Sequence, residues 1–262
     1  MAFIAREHGH LQQALGTTKL SYWPFVESLG VLVTGITAGT DLIPSETSAA
    51  AEALEDDFSP LDHRNGVHSY HFNAVGDHHL AGGDHADYSH GNGTVDSAAS
   101  WFAWILPTDI ATTSIMAKYD SAGNLEEWKW GIDGSGQLEL ELHDASASAS
   151  EIGASTSVLE YGIWQFVCTT YDGTETAPVV THYISDGSAL PTDAGDGTTT
   201  ESGAYVAMEN TAAPLTIGCA GVSALPTEEF TGRIAFPGMT GKALTAVEVE
   251  GVYRITKRLL GL

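Results

Sequence analysis

Histidine and aspartate crowd one stretch of this chain. Seven of the 11 histidines (His63, His68, His71, His78, His79, His85 and His90) lie within it, with Asp77, Asp84 and Asp87 interleaved. Imidazole and carboxylate are metal ligands, so metal binding is the first chemistry to weigh. The spacing speaks against a transition metal. There is no HExxH, and an HxH pair occurs only as His8-Gly9-His10. Calcium asks for hard oxygen donors on turning backbone, and the run GDHHLAGGDHADYSHGNG offers Asp77, Asp84 and Asp87 as its ligands. Asp172 and Asp186, each followed by glycine, are outlying candidates. The plainer reading of each aspartate is an Asx-turn, and of the whole run a solvated connection between strands.

The elements that must position such residues are clearest from Trp101 to Asp144. WFAWIL, SIMAKY, EWKWGI and QLELELH read as four successive β-strands. Asp133-Gly134-Ser135-Gly136 parts the last two, and Asp-Gly between alternating runs predicts a hairpin. Trp128, Trp130 and Ile132 share a face, as do Leu138, Leu140 and Leu142. Period-2 alternation of this kind puts one side of the sheet in a core. Trp101, Trp104, Trp128, Trp130 and Trp164 have the chemistry of a sugar-stacking platform, but at strand period they read first as core.

Further along, GIWQFVCTTYDG predicts a strand with Trp164, Phe166 and Cys168 opposite Gln165, Val167 and Thr169. Asp186-Gly187 marks a second hairpin turn after VVTHYIS. PLTIGCAG and FTGRIAFPGM return to strand character. Residues 145–157 (ASASASEIGASTS) read as a loop or weak edge, and residues 188–211 as a long polar loop with one short strand at AYVAM. Residues 245–260 read as a short helix and a terminal strand. Residues 45–65 read as a surface excursion, with a short helix over Ala49 to Leu54 capped by Ser45.

Composition narrows the function classes. The 262 residues carry 34 Asp+Glu against 10 Lys+Arg, a net charge of −24. Self-repulsion at that level is relieved by screening or bound cations. It also excludes nucleic acid as a partner, since phosphates need Lys and Arg. Low lysine with abundant Ala, Gly and Thr fits a halophilic source, or else an acidic marine or extracellular one. No stretch approaches the ~20 apolar residues of a membrane span. MAFIAREHGHLQQALG sets Arg6, Glu7, His8 and His10 where a signal peptide needs an unbroken apolar core, so synthesis in a cytoplasm is expected.

The two ends stand apart from the middle. Ile4, His8, Leu11 and Leu15 form a thin helical stripe in an N-terminal arm over residues 1–19. That arm either caps the domain or docks on a partner subunit. Arg254, Lys257 and Arg258, three of the ten basic residues, form either a docking patch or snorkelling surface charge. Cys168 and Cys219 make no disulfide framework and no zinc spacing. Buried free thiols are the default, and a bridge between them stays open.

Many short strands with Gly/Asp turns mean an all-β chain: a two-sheet antiparallel β-sandwich or jelly roll over residues 20–262, with long loops at 45–65 and 188–211. The order of motifs resembles the laminin-G-like, concanavalin A-like lectin/glucanase domains. The likeness runs from Tyr22-Trp23-Pro24-Phe25-Val26-Glu27 through Tyr70-His71-Phe72-Asn73, His79-Leu80 and Ser100 to Ile105. It continues through Ile115 to Asp144, Trp164 to Gly173, Tyr183 to Gly187, Pro214 to Gly218 and Phe230 to Tyr253. Many such domains bind calcium and glycans, at one rim or on the concave face.

The resemblance implies a non-enzymatic protein of a tailed-virus virion surface: a head decoration, turret or tail part. It would be made in the host cytoplasm, attach as a homo-oligomer to a lattice of other virion proteins, and bind host-surface glycans. The alternative is a free-standing, extracellular calcium-dependent carbohydrate-binding protein. A structural clamp without ligand is a third use. Retaining glucanases of this superfamily carry catalytic carboxylates on one strand, a few residues apart. Glu139 and Glu141 share a face, yet His143 stands where a third acid is wanted, and the adjacent Glu126 and Glu127 point to opposite faces. Catalysis is therefore not expected.

Overall fold

The computed structural model describes residues 11, 15, 20–25, 36–37, 43–45, 58–59, 69–74, 77–109, 111–175, 178–195, 199–222 and 226–262. The expected helix over Ala49 to Leu54, most of the N-terminal arm, His63 and His68 lie outside them. In chain order the strands are β1 (Leu20–Tyr22), β2 (Ile36–Thr37), β3 (Ile43–Ser45), β4 (Phe58–Ser59), β5 (Ser69–Phe72) and β6 (His79–Ala81). Then follow β7 (Ala99–Pro107), β8 (Thr113–Lys118), β9 (Trp128–Ile132), β10 (Gln137–Asp144), β11 (Ala149–Val158) and β12 (Gln165–Tyr171). β13 (Val180–Ser185), β14 (Thr192–Asp193), β15 (Thr200–Ser202), β16 (Leu215–Ile217), β17 (Gly232–Thr240) and helix α1 (Ala246–Leu260) complete it.

The strands form two antiparallel sheets. One has eight strands in the order β15-β11-β10-β9-β8-β16-β6-β3. The other has nine, ordered β14-β13-β12-β7-β17-β1-β2, with β5 on β17 and β4 on β5. This is the expected β-sandwich. The β9–β10 hairpin pairs Trp130 with Leu140 and Lys129 with Glu141. Its left-handed turn residue is Gly136 (φ 83°), and Asp133 Oδ1 accepts from the Ser135 and Gln137 amides at 2.8 Å each.

Between the sheets lies one core. Trp101, Ala103 and Ile105 of β7 meet Trp128, Trp130, Leu138, Leu140 and Leu142 of the opposite sheet, and the Trp101 and Trp128 rings approach to 5.3 Å. The other face of β7 is buried as well. Phe102 and Trp104, with Phe166 and Cys168 of β12, pack under α1 through Val249, Val252, Tyr253, Leu259 and Leu260. The Trp104 indole donates to Thr256 Oγ1 (2.8 Å). Leu11 and Leu15, both helical and fully buried, join this second cluster. The N-terminal stripe therefore caps the domain at these two positions.

Three expectations are corrected. The Ala/Ser-rich run 145–157 is a turn only over residues 145–148: Ala149–Val158 is a ten-residue strand between β10 and β15. Its small side chains suit a tight space, since a Cβ on Gly153 would meet Val180 at 3.0 Å. AYVAM is not a strand; Thr200–Ser202 is. Residues 246–260 form one helix with no terminal strand, because a capping box at Thr245 and Glu248 starts it and Gly261 (φ 74°) ends it. Cys168 and Cys219 are buried free thiols. Among the described residues no helix is long and apolar enough to cross a membrane.

A polar chain crosses the core. Trp130 Nε1 of the eight-stranded sheet donates to Thr169 Oγ1 at 2.7 Å, and Thr169 Oγ1 lies 2.9 Å from His182 Nδ1 in the other sheet. His182 is fully buried, and burial pushes its pKa down to about 4. Unfolded His182 takes a proton near pH 6.5 that the folded chain refuses, so stability present above pH 6.5 is lost as pH falls toward 4. The full loss is about 3 kcal/mol. Denaturant titration of wild type and His182→Gln should show their stability difference shifting against the wild type by about that amount from pH 7 to pH 4. A flat difference would mean that folded His182 carries its proton.

Candidate functional site

The outward face of the eight-stranded sheet holds a row of ionisable groups. With Leu138, Leu140 and Leu142 of β10 in the core, alternation turns Glu139, Glu141 and His143 outward. Register sets Lys129 of β9 beside Glu141. Lys129 Nζ lies 3.3 Å from Glu141 Oε2 and 2.6 Å from Glu228 Oε1. His143 Nε2 lies 3.1 Å from Glu141 Oε2. Glu228 Oε2 accepts from Ser114 Oγ at 3.0 Å, and its left-handed backbone (φ 50°) is a strained conformation for glutamate. Tyr119 closes one end, its ring 5.0 Å from that of His143 and 5.0 Å from Lys129 Nζ. Next to Lys129 the floor is Gly131, where a Cβ would fall 1.9 Å from the Thr113 carbonyl.

The two glutamates of β10 are driven apart electrically. Burial and the Glu141 charge raise Glu139 to about 7. Burial also raises Glu141, but the hydrogen bond from His143 and the charge of Lys129 outweigh it and bring it to about 2. Near pH 6 Glu139 therefore keeps its proton on the same face as an ionised Glu141. Such a row can donate to and accept from a hydroxyl-rich ligand.

The expected metal ligands are not brought together. Asp84 Oδ1 is 3.0 Å from Lys118 Nζ, Asp87 Oδ2 is 3.7 Å from His85 Nδ1, and Asp77 hydrogen-bonds to Glu229. Among the described residues no group of three or more His, Cys, Asp or Glu side chains is placed to hold a metal ion. Asp172 and Asp186 make local turns, accepting from the Thr174 amide (3.1 Å) and the Ser188 amide (2.8 Å). Of the histidines, His78, His79 and His90 are buried, and His90 packs edge-on against Trp101 at 5.3 Å. Trp101, Trp104, Trp128 and Trp130 are fully buried and offer no platform.

Sequence reading missed Lys129, Tyr119 and Glu228. Counting register back from the Asp133 turn places Lys129 beside Glu141. Nothing in the sequence announces Glu228, which arrives from a distant loop.

A family model described as the concanavalin A-like lectin/glucanases superfamily matches residues 80–250. The chain belongs to this superfamily. No curated protein matches it in sequence. Among solved structures, the binding domain of Paraclostridial Mosquitocidal Protein 1 is similar at 12% identity and TM-score 0.58, over 93% of this chain and 52% of that one. The botulinum neurotoxin serotype G binding domain gives 13% and 0.57, over 92% and 51%. This superfamily member thus spans about half the length of those two toxin domains. Domain 4 of AbnA, a GH43 extracellular arabinanase from Geobacillus stearothermophilus solved with arabinotriose, gives 14% and 0.54, over 89% and 97%. At such identities the likeness is one of fold.

The raised Glu139 sets a pH dependence of stability. Its folded pKa lies above its unfolded value, so the folded chain holds a proton that the unfolded chain releases. Stability falls as pH rises from about 4.5 to 7. Glu139→Gln removes the group, and its advantage over wild type should grow across that window by about 1–2 kcal/mol, after allowance for solvent screening. Thermal melts at pH 5 and pH 8 measure it; an equal advantage at both would place Glu139 in an ordinary solvated setting.

Proposed function

We propose that this chain is a non-catalytic carbohydrate-binding module that takes a glycan across the outer face of the eight-stranded sheet. One observation carries the reading: charged donors and acceptors from two strands and one loop are locked against one another on that face, and the carboxylates among them stay partly exposed. Groups fixed on strands lose little entropy when a ligand arrives. Glu141 and Glu228 accept from sugar hydroxyls, Lys129 donates, and Tyr119 supplies an aromatic edge. The arabinotriose carried by domain 4 of AbnA supports an oligosaccharide as the ligand class.

The non-catalytic half of the reading rests on the carboxyl pair. Retaining hydrolysis sets two carboxyl groups about 5–5.5 Å apart, across the bond. Here Glu141 is held by Lys129 and His143, and His143 takes the next outward position. The row contains no metal-ligand set, so binding in this reading is independent of calcium.

Attachment to a virion lattice extends the proposal and draws on the family resemblance. The surface suited to it is the cleft between residues 188–190 and the end of α1, where Arg254, Lys257 and Arg258 gather beside Leu190 and Leu262. Its charge is opposite to that of the chain as a whole, which fits acidic neighbours.

Isothermal titration in high salt, with arabinotriose and a panel of host-envelope oligosaccharides, tests the binding reading. Wild type should bind at least one, with or without chelator. Glu141→Gln and Lys129→Met should each weaken binding about tenfold, or ~1.4 kcal/mol, with the melting temperature recorded alongside. A wild type that binds nothing on the panel defeats the proposal; one that shortens its ligand defeats the non-catalytic half.

A further inference from the structure

Lys118 ends β8 with its side chain wholly buried. Its ammonium nitrogen meets three oxygens from three separate segments: Glu127 Oε1 at 2.6 Å, the Thr211 carbonyl at 2.8 Å and Asp84 Oδ1 at 3.0 Å. An ammonium has three donors, and all three are matched. Glu127 Oε1 is itself fixed by the Thr211 amide (2.6 Å) and hydroxyl (3.0 Å). Without the lysine, the position is a cup of two carboxylates and a carbonyl, the donor set of a hard divalent cation.

We propose that the Lys118 ammonium stands in the place of a bound cation, and that the cup of Asp84, Glu127 and the Thr211 carbonyl is a latent calcium-class site. The native chain then ties the Asp84 loop, the start of β9 and the segment around Thr211 together without a metal. A surface ion pair would not require this arrangement. Here one cation serves two carboxylates that approach from different loops, and one of those carboxylates is fully buried. Burying Glu127 as an anion without a counter-charge is costly, so without the lysine the cup must take up either a cation or a proton. The inference is independent of the glycan reading.

Lys118→Met tests it, because methionine ends near the lysine Cε and vacates only the ammonium position. Lys118→Ala is the roomier second variant. In the full-length chain, wild-type melting should be the same in millimolar calcium and in chelator. Lys118→Met in chelator should melt lower by on the order of 10 °C and regain most of that in calcium. Terbium, excited through Trp128 beside Lys118 in the sheet register, should luminesce with Lys118→Met and lose that signal when Asp84→Asn is added. If neither variant responds to calcium, whether folded or unfolded, the latent site does not exist. A terbium signal that survives Asp84→Asn, or a wild-type calcium response that Asp84→Asn removes, overturns the proposal equally.

Discussion

Much of this fold depends on two sheets closing over buried indoles, three of which carry their N–H groups to acceptors in distant elements. The N–H of Trp101 meets none among the described residues, and that ring is held by packing alone. A buried donor left unmet costs about twice what a typical net hydrogen bond contributes. Trp130 solves this by reaching across the sandwich to Thr169, which in turn faces His182. Trp128 solves it by donating to the Tyr88 carbonyl at 2.9 Å, and that contact fixes the turn carrying Asp84 and Asp87 against the sheet end. Trp104 solves it on the far face through Thr256 of α1. Each bond joins elements distant in sequence, so the indoles set the sheet spacing, the rim loop and the helix together.

Those constraints explain which parts of the chain were legible. Alternation in Trp128–Ile132 and Gln137–Asp144 reveals the strands because one face is apolar and the other is not. WFAWIL has no such contrast, since β7 is covered on both sides, by the opposite sheet and by α1. It reads as a strand only through its aromatic and β-branched content. Residues 149–158 were illegible for a third reason. Alanine, glycine and serine lack strand character, and their size suits the close approach of the neighbouring sheet at Val180. That requirement appears only after both sheets exist.

The site is legible in halves. The outward parity of Glu139, Glu141 and His143 follows from the same alternation that buries the leucines. What the row can do depends on partners the alternation does not name. Lys129 and His143 hold Glu141 ionised, and burial together with the resulting charge forces the neighbouring Glu139 upward. The histidine-rich stretch misleads in the opposite direction. Its residue types suggest ligands, but His90 is a packing ring on Trp101, and its aspartates face separate partners.

The same device serves twice, with opposite outcomes. In a chain with 34 acidic and 10 basic residues, carboxylates that must come close need a lysine between them. Lys118 stands between Asp84 and Glu127, and Lys129 between Glu141 and Glu228. Salt screens exposed charges over about 8–10 Å but reaches such enclosed pairs weakly, so these bridges persist where the surface is screened. The difference lies in saturation. Around Lys118 three oxygens use three N–H donors, and the assembly is closed. Around Lys129 the carboxylates stay part-exposed, and Glu139, raised by burial and the Glu141 charge, shares their face. A closed bridge holds the rim together. An open one keeps hydrogen-bonding capacity on a rigid sheet, which is what the proposed binding of a hydroxyl-rich ligand draws on.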